Sequence, residues 1–343
     1  MKALVLTEYL NLELKDVPKP QIKPNEVLLK IKACAICGSD VHGYDGSSGR
    51  RIPPVIMGHE AAGVIEAVGD DVKRFIVGDR VTFDSTQYCR DCLPCSKGNV
   101  NLCDNRRVFG VSCDDYKRDG AMAEYLAVPE YILYKLPDKV SFEVASVIEP
   151  LAVALHSINR SKIKAGDNVM VTGCGTIGLL IVKLLKIMAC GSVIAVDIDD
   201  EKLKMAKKNG ANHTINSKEE SVEKRIADLT GGEKVDVAFE AVGISDTVAY
   251  TINSVKKGGE LILVGNIQKK VDFPLQYVVT NEININSSCA SAGEYAACIK
   301  LMGSGKIDLD DIVSITAPLS EGAIWFDKLH KGLPGVIKVV LQP

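Results

Sequence analysis

No part of this sequence limits the fold more than residues 168–265, where apolar strands and helical segments take turns. "NVMVTG" (168–173) reads as a strand, "IGLLIVKLLKIMA" (177–189) as a helix and "SVIAVD" (192–197) as a strand. "DEKLKMAKKNG" (200–210) reads as a helix ending on Gly210 as its C-cap. A helix near 219–229, the strand "VDVAFEAVG" (235–243), a helix near 245–256 and the strand "GELILVG" (259–265) follow. This order predicts an α/β, doubly wound parallel sheet of Rossmann type, covered by helices on both faces.

The first strand-to-helix turn of that series is "VTGCGTIG" (171–178), with Gly173, Gly175 and Gly178 in G-x-G-x-x-G spacing. Such a turn lets the backbone approach a pyrophosphate, and amides near Thr176 and Ile177 point at the anion. Asp197 ends the next strand. Its carboxylate can accept a hydrogen bond from an adenosine ribose hydroxyl and would repel a 2′-phosphate, which favours NAD over NADP. The plainer alternative for Asp197 is a helix cap. Lys202, Val264 and Gly265 complete the candidate cofactor-binding residues.

The first 140 residues have a different texture. "EVLLKIKACAI" (26–36), "AAGVIEAVG" (61–69), "DRVTF" (79–83) and "AEYLAVP" (123–129) read as short strands between tight turns, a barrel-like β domain. "EVASVIEPLAVALHSINRS" (143–161) has helical spacing with Pro150 near its first turn. After about 290 come a helix in "GEYAACIKLMGSG" and a strand in "GVIKVVLQP". The division expected is 1–150 for a β-rich domain, 151–290 for the dinucleotide domain, and 291–343 returning to the first.

Composition excludes several classes. A net charge of −3 gives no basic field for nucleic acid or anionic membrane. The apolar run before Thr7 and Glu8 is too short for a signal peptide, and Lys183 and Lys186 break the most apolar later run. The expectation is a soluble cytoplasmic protein with reduced thiols. Of eleven cysteines, Cys34, Cys113, Cys174, Cys190, Cys289 and Cys298 sit among apolar or small neighbours and read as packing residues.

Cys89, Cys92, Cys95 and Cys103 differ, in the form C-x2-C-x2-C-x7-C. Four thiolates suit a closed, tetrahedral structural zinc in a lobe at 88–104. An iron–sulfur cluster is the rival, but its bacterial pattern has a shorter last gap and a following proline, where Asp104 stands here. A second, scattered set lies in "CGSDVH" (37–42), "GHEAAG" (58–63) and "IEPLAVALHS" (148–157). Cys37, His59 and a carboxylate from Glu60 or Glu149 have the donor types of a catalytic zinc with one open position. Spacing alone does not bring them together.

These motifs, with "GHEAAGVIEAVGDDVKRFIVGDRV" (58–81), occur in an order that resembles the zinc-dependent medium-chain dehydrogenases over nearly the whole chain. Glu149, where alcohol dehydrogenases proper usually carry cysteine, makes it similar to the polyol branch (sorbitol, iditol or galactitol-phosphate dehydrogenases). Butanediol and L-threonine dehydrogenases are the alternatives, the latter less similar.

The resemblance implies a GroES-like first domain and two zinc ions. Cys37 and His59 would ligate the catalytic zinc, with Glu60 and Glu149 as its carboxylates. Ser39 would begin a proton relay that leaves through the cofactor ribose and His42. Its plainer role is a helix N-cap. Asp40 would orient His59, and His156 would pack at the domain junction. The implied reaction is NAD-dependent oxidation of a secondary alcohol of a polyol, free or phosphorylated, by a homodimer or homotetramer. Arg50 and Arg51 read as a solvated loop, or else as partners of an acidic substrate. A non-catalytic protein on this scaffold would lack part of the set, and a zinc-free enone or quinone reductase would need neither the ligands nor the cysteine lobe.

Overall fold

A computed structural model describes residues 1–343, and the chain divides into two units, Met1–Glu149 with Tyr295–Pro343 and Pro150–Glu294. In the first unit the strand Glu26–Ala35 is buried on both faces except at Lys30 and Lys32. It pairs antiparallel with Glu60–Val68, Tyr125–Pro129 and Lys338–Gln342. Arg80–Phe83, Leu133–Lys135 and Val313–Pro318 complete a seven-stranded sheet. The sheet does not close on itself: its end strands, Leu133–Lys135 and Val313–Pro318, are not paired with each other. Leu29, Ile65, Phe83, Phe109, Phe326 and Leu341 are buried in its core.

Register decides what meets at one end of this sheet. Ala35 is opposite Glu60 on one side and Val340 on the other. Glu60, the residues following Ala35, and Lys338 therefore share that end. The helix Gly38–Tyr44 starts there.

The second unit is a six-stranded sheet in the order His213–Asn216, Ser192–Asp197, Asn168–Thr172, Val235–Glu240, Val255–Leu263, Asn284–Ser287. Every neighbouring pair is parallel. Numbered along the chain this is 3-2-1-4-5-6, the doubly wound order, with its reversal point between Asn168–Thr172 and Val235–Glu240. The apolar run 179–189 belongs to the helix Thr176–Ile187, which buries Leu179, Leu180, Ile181, Val182, Leu184 and Leu185. No helix is long and apolar enough to cross a membrane.

Several local expectations change. The helix expected over 143–161 is two helices, Phe142–Ala145 and Ile148–Asn159. Pro150 sits in the first turn of the second, where its missing N–H is not needed. The edge strands His213–Asn216 and Asn284–Ser287 escape a hydrophobic reading because "HTIN" and "NINS" are polar, as edge strands can be. The second unit runs to Glu294 because that side chain is tied to its own first helix. Glu294 Oε1 lies 2.8 Å from His156 Nδ1 and accepts from Asn159 Nδ2 at 3.3 Å. Cys34, Cys174 and Cys298 are buried, and Cys113 and Cys190 half-buried, but Cys289 is exposed. It follows the edge strand Asn284–Ser287.

Candidate functional site

In the second unit, the glycine turn has the shape its sequence requires. Gly173 has φ +89°, a left-handed conformation that a side chain resists. A Cβ on Gly178 would lie 1.7 Å from the Gly173 carbonyl, so the helix can approach the strand only without one. A Cβ on Gly175 would meet nothing within 4 Å. That residue faces open space at the start of the twelve-residue helix Thr176–Ile187, the place for an anion. This cradle fits a dinucleotide pyrophosphate.

Asp197 is not the helix cap; Asp199 is, accepting from the Glu201 and Lys202 amides. Asp197 instead fastens the turn. Its Oδ2 accepts from Cys174 N at 2.6 Å, and its Oδ1 from Ile198 N at 2.8 Å and Asp199 N at 3.1 Å. A carboxylate has about four acceptor sites, so one remains for a ribose hydroxyl. Lys202 is half-buried nearby, and its charge opposes the rise that burial imposes on the Cys174 thiol. The amides of Val264 and Gly265 both donate to the Glu240 carbonyl, at 2.8 and 2.9 Å. Sequence reading missed Glu240. Fully buried, it accepts through Oε1 from Val242 N, Gly243 N and Thr247 Oγ1, and so shapes the turn at the reversal point.

In the first unit, Cys89, Cys92, Cys95 and Cys103 converge, their sulfurs within 4.8 Å of one another. Zinc with Zn–S bonds of about 2.3 Å places its sulfurs about 3.8 Å apart in a tetrahedron. Cys92 and Cys103 stand 3.9 Å apart, and Cys103 and Cys89 3.6 Å. Backbone amides already point at the thiols: Cys89 N donates to Cys103 Sγ and Cys92 N to Cys89 Sγ. Amides of Asp104 and Cys95 bring the Cys92 thiol down to about 7, whereas burial and a shared hydrogen bond push Cys95 up to about 12. Four thiolates this close repel one another unless a cation sits among them. The donor set fits zinc and leaves no position for a substrate.

The second cluster is quieter in sequence and richer in partners. One donor atom each from Cys37, His59 and Glu60 lies within 4.8 Å of the others. Cys37 is the N-cap of the helix Gly38–Tyr44, His59 is 6% exposed and Glu60 is fully buried. Asp40 Oδ1 is 3.3 Å from His59 Nδ1 and accepts from Arg51 Nη2 at 3.0 Å, while Oδ2 accepts from Cys37 N at 3.3 Å. Burial alone would raise the Asp40 pKa, but His59 and Arg51 hold it well below the carboxylate range. Burial alone would lower His59, yet Asp40 and the Cys37 thiol raise it well above its ordinary value. The pocket is thus built to hold positive charge, as a proton or a metal ion. The thiol, imidazole and carboxylate donors fit zinc and leave a fourth position.

Glu149 is outside that three-residue set. Its Oε1 accepts from Ser85 Oγ at 3.1 Å; burial raises its pKa, as does the Glu60 charge, against the lowering effect of His59 and Lys338. Lys338, 2% exposed, donates to Glu60 Oε1 at 3.0 Å, to Oε2 at 2.8 Å and to the Ile36 carbonyl at 3.3 Å. Neither Ser85 nor Lys338 carries a local sequence signal.

Two expectations are corrected. Arg51 is not on a solvated loop: it is 4% exposed and its guanidinium is bound to Asp40, because the chain there bridges Ser112 and turns inward. Arg50 is exposed. Ser39 is not the N-cap, a position Cys37 holds; it lies in the first turn of the helix, exposed, as is His42.

Residues 23–138 match the alcohol dehydrogenase GroES-like domain, and residues 176–304 the zinc-binding dehydrogenase domain. Sorbitol dehydrogenase of Bacillus subtilis (strain 168) is 34% identical over 347 residues, covering 100% of this chain and 97% of its own. A zinc-binding dehydrogenase of Sinorhizobium meliloti 1021 bound to NADP superposes with a TM-score of 0.92 at 31% identity, over 100% of this chain and 99% of that one. The 2R,3R-butanediol dehydrogenase from Bacillus subtilis does so with 0.90 at 31% identity, over 100% and 99%.

Proposed function

This chain belongs to the zinc-dependent medium-chain dehydrogenase family, and from that premise we propose that it oxidises a secondary alcohol of a polyol reversibly to a ketone with NAD+. The observation that carries the reading is the convergence of Cys37, His59 and Glu60 in one largely buried cluster, with Glu149 within electrostatic influence of His59 and Glu60.

Cys37, His59 and a carboxylate from Glu60 or Glu149 would hold a catalytic zinc, and Cys89, Cys92, Cys95 and Cys103 a structural one. When bound, the catalytic zinc supplies Lewis-acid polarisation of the alcohol oxygen and lowers its pKa. Ser39 accepts the released proton and passes it toward His42. The two lie three residues apart, hence on one helix face, and both are exposed, so the proton has a route to water. Asp40 holds the His59 ring, and Arg51 keeps Asp40 ionised and still. In the second unit, Gly173, Gly175, Gly178 and the amides of Thr176 and Ile177 receive the pyrophosphate. Asp197 and Lys202 take the adenosine end, and Val264 and Gly265 line the turn beyond Glu240.

Asp197 supports NAD: a 2′-phosphate would set a dianion against its carboxylate. Because Arg51 is committed to Asp40, it is not free to receive a phosphorylated substrate, which supports a free polyol. The edge strand Asn284–Ser287 has an unpaired side, which supports a homodimer or homotetramer formed through it. Eleven free cysteines, five of them metal-ligand candidates, support the reducing cytoplasm.

The test is NADH formation across sorbitol, xylitol, galactitol phosphate, 2,3-butanediol and L-threonine, repeated with NADP. The expected result is turnover of a polyol with NAD. Preference for butanediol or threonine would reassign the substrate, and no turnover of any secondary alcohol would overturn the enzymatic reading.

A further inference from the structure

Glu60 and Glu149 present a selection problem. A catalytic zinc with Cys37 and His59 needs one carboxylate at most if a position is to stay open; Glu60 lies within the donor set, and Glu149, outside it, still feels the charges of His59 and Glu60. The chain treats them differently. Glu149 is held by a single neutral donor, the Ser85 hydroxyl at 3.1 Å. Glu60 is gripped on both oxygens by the Lys338 ammonium, at 3.0 and 2.8 Å. The third Lys338 proton goes to the Ile36 carbonyl at 3.3 Å, which fixes the ammonium in place. Lysine and glutamate are 2% and 0% exposed, so bulk solvent does not reach the pair.

The charges sort in the same way. Asp40 is balanced by Arg51 and Glu60 by Lys338. Cys37 and Glu149 are left without an ion pair of their own. A carboxylate whose two oxygens both face an ammonium is a poorer donor to a dication, and the ammonium itself opposes close approach of the metal to that side.

We infer that Lys338 is a positioning residue that competes with the metal for the Glu60 carboxylate, so that Glu60 leaves the metal readily and the position open to substrate stays exchangeable. The inference rests on the catalytic site proposed above. Lys338 touches neither substrate nor cofactor in this role; it acts through Glu60.

The experiment uses the full chain loaded with cobalt(II) at the catalytic site, whose visible absorption reports the ligands, and zinc-loaded protein challenged with a chelator. In Lys338→Met, Glu60 is released to the metal. The expected result is zinc release slowed about tenfold or more and shifted cobalt bands, with kcat for the alcohol lowered more than KM is raised. Lys338→Arg keeps the cation and should return release and bands to near wild type. The double variant K338M/E60Q removes a buried ion pair together and folds even if K338M does not. Its zinc release should be as fast as wild type or faster. Cobalt bands and release rates unchanged in folded K338M would overturn the inference. So would slowed release in K338M/E60Q, because Lys338 would then act on the metal by charge alone. A wild-type chain that binds one metal or none would instead remove the catalytic-site reading, an outcome read before any variant is made.

Discussion

Cys89, Cys92, Cys95 and Cys103 come from fifteen consecutive residues, three of them only half-buried, and supply four donors of one kind. Cys37, His59 and Glu60 supply a thiol, an imidazole and a carboxylate; Asp40, Arg51 and Lys338 press around them in near-complete burial, and the half-buried Glu149 adds a further charge. The first cluster asks only for a metal. Backbone amides of Cys89 and Cys92 already donate to two of its sulfurs. The second buries charge far beyond what holding an ion requires. Buried ionic groups are weak evidence for stability, so their presence here marks a place where the fold yields stability to chemistry.

That contrast is sharpest for activity. Cys37→Ala or His59→Ala should lower kcat by about 10³-fold or more, the several kcal/mol of a Lewis acid. Metal content should fall from two per chain to one with the circular dichroism unchanged. If either variant kept wild-type turnover, the two clusters would have to exchange roles. Asp40→Asn should follow, with catalytic-metal affinity or kcat lower by about 10–100-fold, as for other groups that orient a metal-bound histidine; competition with a chelator measures it. Cys95→Ser should do the reverse. It should lower the thermal midpoint by roughly 10 °C while kcat at 25 °C stays within about threefold. A thermal midpoint unchanged by that substitution would mean that the lobe holds its shape without metal. Ser85→Ala should have the smallest effect, about a threefold change in kcat or KM, about what loss of one hydrogen bond gives. No effect at all would mean that Glu149 needs no tether.

The sequence made one cluster easy to read and the other hard for the same physical reason. C-x2-C-x2-C-x7-C is a local pattern, and its spacing alone nearly sets the sulfur geometry. The glycine turn is equally local: positive φ at Gly173 and the close approach at Gly178 can be met only by glycine. Cys37, His59 and Glu149 are brought together by sheet register and by the helix that begins at Ile148, which no spacing reveals; resemblance to a family supplied them. Lys338 was invisible because 278 residues separate it from Glu60. Arg51 misled because a pair of arginines between glycine and proline looks like surface, while the chain folds one of them inward onto Asp40. Glu240 ended an apolar strand without any sign that three donors awaited its carboxylate.

The strand Lys338–Gln342 also sets an order of events during synthesis. It pairs with Glu26–Ala35, whose neighbour Glu60–Val68 leaves the ribosome early. At about 5–20 residues per second, roughly 15–55 s pass between the making of Glu60 and of Lys338. Over that interval the nascent first unit has an unfilled sheet edge and a carboxylate lacking its cation. The second unit, continuous from Pro150 to Glu294, is complete before the missing strand is made. The end of the first sheet that gathers Cys37, His59 and Glu60 is therefore finished only when Lys338–Gln342 docks, well after the neighbouring strands have been made.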